Sequence, residues 1–587
     1  MLQFATMSQN VTVYVAVYNA LGWERSDILS LPVSISSNFS VTRMVDDKKT
    51  RYVDSALHPN MNAAKVPGAA PFNLVFDTGQ VKPASFTLYK ITNKARSSLE
   101  EPLLSQPATK FKESTLAHDS RRLRAFQAKT DNKDSKPLVV ENGIIELNMK
   151  SNGASKIKLM STNTTLKMHL EWGFYRSFQA REDNDVESIY ENPKFISKHA
   201  YPWTVKDSQS SQNSGAYIFR PSVPDEELQI LKVDPTKTKI HRSNLMTEII
   251  FGFEVPWIKQ TLKMFKGKKY IDVEYTVGPI PVNDDIGKEI ALRIGTSIDN
   301  KGVFFTDSNG REFIKRKRSN RSTWNFKEFQ PVAGNYYPVN SAIYMEDSKT
   351  SLAIITDRTQ GGTSLRDGSL ELMVHRRTIK DDGRGVGEPI NETVSMSPYP
   401  PYGDAKRLGE GLLITGTHRI VIGEGNDGAC ISRKEMDTVF SPLHMFVTSS
   451  SPDEGTSTSQ IPVAALRNAL PSNVQLITVK LLSSSADSVK FLFRLGHGFA
   501  KGESTDLSEP VMIDLSQLFT GYEVKSMIEK SLSANQDRSV WDGNKMIWGH
   551  KSFDQEAKKS NLDRPFSIKM NPMEIRTFEI HAARLME

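Results

Sequence analysis

Cysteine is almost absent from this chain: Cys430 is the only one among 587 residues. A lone thiol cannot close an intrachain disulfide, so packing must hold the fold, and the cross-linked framework of small secreted domains is excluded. Long apolar runs are missing too. No stretch of roughly eighteen apolar residues occurs, the least a spanning helix needs, so no membrane partner is expected. The opening MLQFATMSQNVTVYVAVYNALGW has neither a basic leader nor a continuous apolar run, so no signal peptide is visible; VTVYVAV alternates as a strand does. Excess charge is small as well, with 75 basic residues against 68 acidic ones and a net charge of +7. Spread over this length, that excludes nucleic acid as the expected partner. The dense basic run Lys315 to Arg318 follows an alternating segment and reads as a solvated strand edge.

Several catalytic signatures are also lacking. The eleven histidines are scattered, and none falls in an HxxxH or HxD spacing on a credible element, so this chain is expected to bind no zinc of its own. There is no GxSxG elbow and no P-loop. Gly423, Gly425 and Gly428 spell GxGxxG after the strand-like THRIVI, but ACISRKEMDTVF does not read as a convincing apolar helix and no second βαβ strand follows. A turn is the expectation there.

What the sequence does contain is period-two alternation, at Val11 to Val17, Ser85 to Ile91, Leu228 to Val233, Tyr270 to Val277, His418 to Ile422, Gln475 to Leu481, Val489 to Leu495 and Glu574 to Ile580. Short strands punctuated by Gly, Pro, Asn and Asp predict an all-β chain of tandem antiparallel β-sandwiches. Composition divides it into a small sandwich at 1–92, a polar linker at 93–136, a large block at 137–434, a second polar linker at 435–460 and a C-terminal sandwich at 461–587. Asn142 and Gly143 suit a hairpin turn. Residues 180–212 read as an insertion between strands, and Ala464 to Ala469 looks helical. Asn10, Asn38, Asn163, Asn320 and Asn391 each stand in an Asn-x-Ser/Thr sequon, which matters only in the secretory pathway.

Glycoside hydrolysis needs two carboxyl groups, about 5 Å apart for retention or about 6.5 to 9.5 Å apart for inversion. Asp381 and Asp382 cannot form that pair from one strand, because adjacent side chains point to opposite faces. Asp307, Asp357 and Asp367 each sit in a context that favours turn capping. His375, in MVHRR, reads as a strand residue. Arg384 is open to two readings. Its guanidinium is a rigid fork suited to a pair of sugar hydroxyls or to a carboxylate, so it either pairs with Asp381 or Asp382 or contacts a ligand that Gly383 and Gly385 let approach. Tyr217 reads from the residues alone as an ordinary strand residue of the core, with a sugar-stacking and hydroxyl-bonding group as the alternative.

DRTQGGTSLRDGSLELMVHRRTIKDDGR at Asp357 to Arg384, NYYPVN at Asn335 to Asn340 and TDSNGREF at Thr306 to Phe313 carry a resemblance. So do VYNALGWER from Val17, EYTVGPIPV from Glu274, GKE from Gly287, SLSANQDR from Ser531 and NPMEIRTFEI from Asn571. Together they resemble the C-terminal half of the lysosomal-type acid α-mannosidases, glycoside hydrolase family 38. The resemblance implies a galactose-mutarotase-like supersandwich flanked by smaller sandwiches, and retaining hydrolysis of terminal α-mannosides in N-glycans or free oligosaccharides. It implies that Tyr217 and Arg384 reach the substrate in the cleft of a catalytic domain, and that zinc and the nucleophile belong to that domain. No counterpart of that domain is expected before Val11, so a mannose-containing oligosaccharide and an α-mannosidase catalytic domain or chain are the expected partners. A non-catalytic carbohydrate-binding or scaffold protein of the same descent is the alternative. Lysosomal or secretory placement rests on the resemblance alone.

Overall fold

The computed structural model describes residues 12–34, 38–44, 50–60, 70–94, 138–150, 153, 155–177, 213–223, 225–323, 325, 328, 330–394, 409–449, 465–546 and 566–585. Residue Asn10, most of the linker at 93–136 and the stretch 450–464 lie outside them, as does the insertion at 180–212. The regular structure of the described residues is nearly all strand, joined in antiparallel pairs, and the chain divides into two units, 118–439 and a second made of 1–117 with 440–587. None of their helices is long and apolar enough to cross a membrane.

In the 118–439 unit, two nine-stranded sheets share one apolar core. The central strands of the first sheet are Thr165–Arg176, Lys288–Thr296 and Ser369–Arg377; the second is centred on Tyr270–Val277, Ile414–Glu424 and Thr350–Thr356. Alternation places Ile290, Leu292 and Ile294 inward against Ile271, Val273, Ile354 and Ile420. Each such burial contributes about 1.5 to 3 kcal/mol. Lys288–Thr296 departs from half-exposed alternation, since it is buried at all but its last position. Its outer side chains, Glu289, Ala291 and Arg293, are covered as well. The cover over that outer face positions the candidate site.

The Asn142 turn forms as its sequence predicts. The strands Leu138–Glu141 and Ile145–Met149 pair across it, Gly143 has φ of 90°, and Asn142 Oδ1 accepts the Ile145 N–H at 2.8 Å. The basic run lies on Glu312–Lys317, the last strand in its sheet.

Three local expectations are corrected. A helix does follow the GxGxxG segment, over Gly428–Phe440. Its burial against the sheet comes from few residues, among them Ala429 and Met436, which is too sparse an apolar stripe to read from sequence. It still makes no dinucleotide site, because the preceding strand is antiparallel to both neighbours and Glu346 Oε2 takes the Gly428 N–H at 3.0 Å, where a phosphate would sit. Ala464 to Ala469 is not helical over its described part; Leu466 bridges to Phe519 and Arg467 donates its N–H to Leu518 O. Pro471 follows too soon for a helix to propagate. Within 435–460, the polar segment carries the end of the helix and a strand, His444–Thr448, that pairs with Thr12–Asn19.

That pairing completes the first sheet of the other unit with chain from far along the sequence. A five-stranded and a three-stranded sheet enclose one core there, around Val15, Val17, Phe76 and Tyr89. A second core, around Phe491, Phe493, Phe519 and Phe578, is built with the four-stranded sheet, whose strands include Ser488–His497 and Ile575–Arg584.

Candidate functional site

On the outer face of the first nine-stranded sheet, residues 213–221 form a loop bound at its base by charge. Glu289 and Arg376 are cross-strand partners, and Arg376 Nε donates to Glu289 Oε1 at 2.7 Å. The same carboxylate oxygen accepts Ser214 Oγ at 2.8 Å, while Arg376 Nη2 donates to Ile218 O at 2.7 Å. Burial pushes the Glu289 carboxyl up, opposed by the Arg376 guanidinium and the Ser214 hydroxyl. Beside this pair, Glu371 accepts Tyr175 Oη at 2.8 Å, Tyr336 Oη at 2.5 Å and Arg293 Nε at 2.7 Å. Burial first, and the Glu371 carboxylate next, push both phenols up, so they stay neutral donors. Phe219 packs its ring on Tyr175 and Tyr336, with centroids 5.8 and 5.0 Å away, and so pins the loop to the sheet.

The loop tip is held differently. Asp382, 4% exposed, accepts the Tyr217 N–H at 2.7 Å and the Ile218 N–H at 3.2 Å through Oδ2, and the Arg384 N–H at 3.0 Å through Oδ1. Gly215 permits that approach, since a Cβ there would lie 2.7 Å from the Asp382 backbone nitrogen. One carboxylate therefore ties together the backbones that carry Tyr217 and Arg384. Tyr217 is 66% exposed and Arg384 is exposed too. The ion pair once open to Arg384 is not made: among the described residues Asp382 receives its backbone, and Asp381 Oδ2 receives the Gly383 N–H at 2.8 Å. A stacking ring and a forked donor facing solvent can together take up a sugar's apolar face and its hydroxyls.

Of the remaining acids, Asp307 caps its own turn at the Gly310 N–H and also accepts those of Ser341 and Ala342, and Asp367 accepts the distant Gly302 N–H and pairs with Arg318. Asp357 departs from the turn-capping expectation: it pairs with Arg358 and accepts the Thr417 N–H within the strand Ile414–Glu424. His375 is a strand residue whose Nε2 lies 3.2 Å from Leu412 O. Zinc does not fit the described residues, among which no three His, Cys, Asp or Glu side chains converge as a ligand set. Sequence reasoning missed Glu289, Arg376, Arg293 and Glu371 as the supports of the loop. The signal was there in part: Glu289 and Arg293 are charged at even spacing in a strand whose intervening positions are apolar.

This scaffold carries a β-rich domain of glycosyl-hydrolase type: residues 140–384 match the family model described as the glycosyl hydrolases family 38 C-terminal domain. The chain belongs through this domain to glycosyl hydrolase family 38. It is 38% identical over 406 residues to lysosomal alpha-mannosidase of Mus musculus, covering 67% of this chain and 37% of that one. An alpha-mannosidase of Arabidopsis thaliana is 30% identical over 594 residues, covering 98% of this chain and 51% of the relative. The chain thus spans about half or less of the length of these relatives. Among solved structures, an alpha-mannosidase from Enterococcus faecalis V583 superposes with a TM-score of 0.52 at 12% identity, over 97% of this chain and 56% of its own, a likeness of fold.

Proposed function

We propose that this chain is the β-half of a retaining α-mannosidase that hydrolyses terminal α-mannosides of N-glycans or free oligosaccharides, working with a catalytic domain or chain that supplies zinc and the nucleophile. Tyr217 and Arg384 are its contacts to the sugar. Arg384 donates from its fork to neighbouring hydroxyls, Tyr217 covers the sugar face and offers its hydroxyl, and both orient the mannoside for groups held elsewhere. The observation that carries this reading is the shared Asp382 carboxylate, which brings two side chains far apart in sequence to one exposed place. Lysosomal or secretory placement is part of the proposal; it draws support from the lysosomal relatives and from Asn163, Asn320 and Asn391, whose sequons are exposed.

The test is hydrolysis of an aryl α-mannoside with added zinc, from acidic to neutral pH. The chain alone is expected to give negligible turnover, and its assembly with the N-terminal part of a family 38 relative is expected to give turnover. Turnover by the chain alone that disappears when one of its own acidic residues is changed would overturn the proposal. Mannoside binding without turnover in any assembly would point instead to a non-catalytic carbohydrate-binding protein.

A further inference from the structure

We infer that Asp382 is a positioning residue, a clamp that makes the Tyr217 and Arg384 loops one preorganised surface for a mannoside; the inference rests on the sugar-contact reading above. Three N–H groups from two loops converge on its carboxylate, two on Oδ2 and one on Oδ1. An ionised carboxylate has room for that many donors, and bonds to a charged acceptor are stronger than neutral ones. Asp382 is buried while the Tyr217 and Arg384 side chains, whose backbones it holds, are exposed. It therefore fixes their origins without competing for the ligand.

A second stitch lies alongside, where Asn213 Nδ2 donates to Asp381 O at 3.2 Å. By contrast, the Arg384 loop has little packing of its own. Among the described residues, Gly383, at φ of 67°, and Gly385, at φ of 119°, have no atoms within 4 Å of where a Cβ would be. Glycines at positive φ leave the free chain many conformations, so this loop depends on its hydrogen bonds for order. The Tyr217 loop has the Glu289, Arg376 and Phe219 supports at its base, and Asp382 transfers that order to Arg384. Preorganisation of this kind lets a ligand bind without first freezing two loops.

The experiment has two arms. In the first, amide hydrogen exchange is followed by mass spectrometry on the full chain. Asp382→Ala is expected to speed exchange at least about tenfold, the scale of one lost charge-assisted hydrogen bond, in the peptides covering 213–221 and 380–388 together. The peptide covering 414–424 should be unchanged. Faster exchange in only one loop, or in neither, overturns the clamp. Should the alanine variant not fold, Asp382→Asn serves, since it loses one acceptor oxygen; at least one loop must open, and full protection of both overturns the inference.

The second arm uses the enzyme assembled with the catalytic part. Arg384→Ala should lower kcat/KM by roughly tenfold to a hundredfold when Asp382 is present, and by under about threefold in an Asp382→Asn background, because an unheld Arg384 has little left to lose. Equal losses in both backgrounds overturn the positioning role. No loss in either background, with the exchange result as expected, overturns the sugar-contact reading while the clamp between the loops stands.

Discussion

Arg376 donates to Glu289 Oε1 from both Nε and Nη2, at 2.7 and 2.5 Å, while the second oxygen of that buried carboxylate, Oε2, has no hydrogen-bond partner among the described residues. The pair lies beneath the Tyr217 loop, so its balance of charge and desolvation sets how firmly the loop base is seated.

Removing one partner of a buried pair leaves the other charge uncompensated. Arg376→Ala is therefore expected to destabilise the chain by about 3 to 5 kcal/mol, read from the midpoint of urea unfolding at neutral pH. Glu289→Gln should be milder, because the neutral amide has less to lose on burial. A loss below about 1 kcal/mol for Arg376→Ala would show that the carboxyl is already protonated or reached by water.

Arg384 and Arg377 stand seven positions apart but do different work. Arg377 Nη1 donates to Ile280 O at 2.6 Å and its Nε to Asn391 Oδ1 at 2.7 Å, so Arg377→Ala should lower stability by about 1 to 3 kcal/mol. Arg384→Ala leaves its backbone bond to Asp382 intact and should stay within about 0.5 kcal/mol of the parent. Thermal unfolding of the two variants side by side checks the contrast; equal shifts would mean that the Arg384 side chain is structural.

His418 gives the chain a dependence on acid. It is fully buried, with Nε2 2.7 Å from Gln360 Oε1 and its ring packed on Tyr275, and burial pushes its pKa down to about 4. The folded state thus binds fewer protons than the unfolded chain below the ordinary histidine pKa of about 6.5, and stability must fall as pH drops from there towards 4. At the folded pKa the loss reaches roughly 3 kcal/mol. Urea midpoints at pH 7 and pH 4.5 should show that slope, and His418→Gln should flatten it. An unchanged slope in the variant would move the acid sensitivity to other groups.

Strand identity was legible because its causes are local. Alternation in VTVYVAV, the Asn142 and Gly143 turn, and the capping of the Gly310 N–H by Asp307 all act within a few residues. The helix at Gly428–Phe440 was not legible, because few of its residues bury and the glycines around its start serve close helix–sheet packing: a Cβ at Gly423, in the strand, would meet Ser351 and Ile431, and one at Gly428, in the helix, would meet Tyr344.

The sequence alone determined that this chain folds as antiparallel β-structure without disulfides, and it carried the motifs that tie it to family 38. Only the tertiary structure decided that His444–Thr448 closes the sheet begun by Thr12–Asn19, that Glu289 meets Arg376, and that Asp382 reaches Tyr217 across 165 positions. A strand's period fixes which face a side chain takes, but a partner's identity depends on register between distant strands and on which loop lies over the outer face. Those are set by packing of the whole sheet, and no local pattern encodes them.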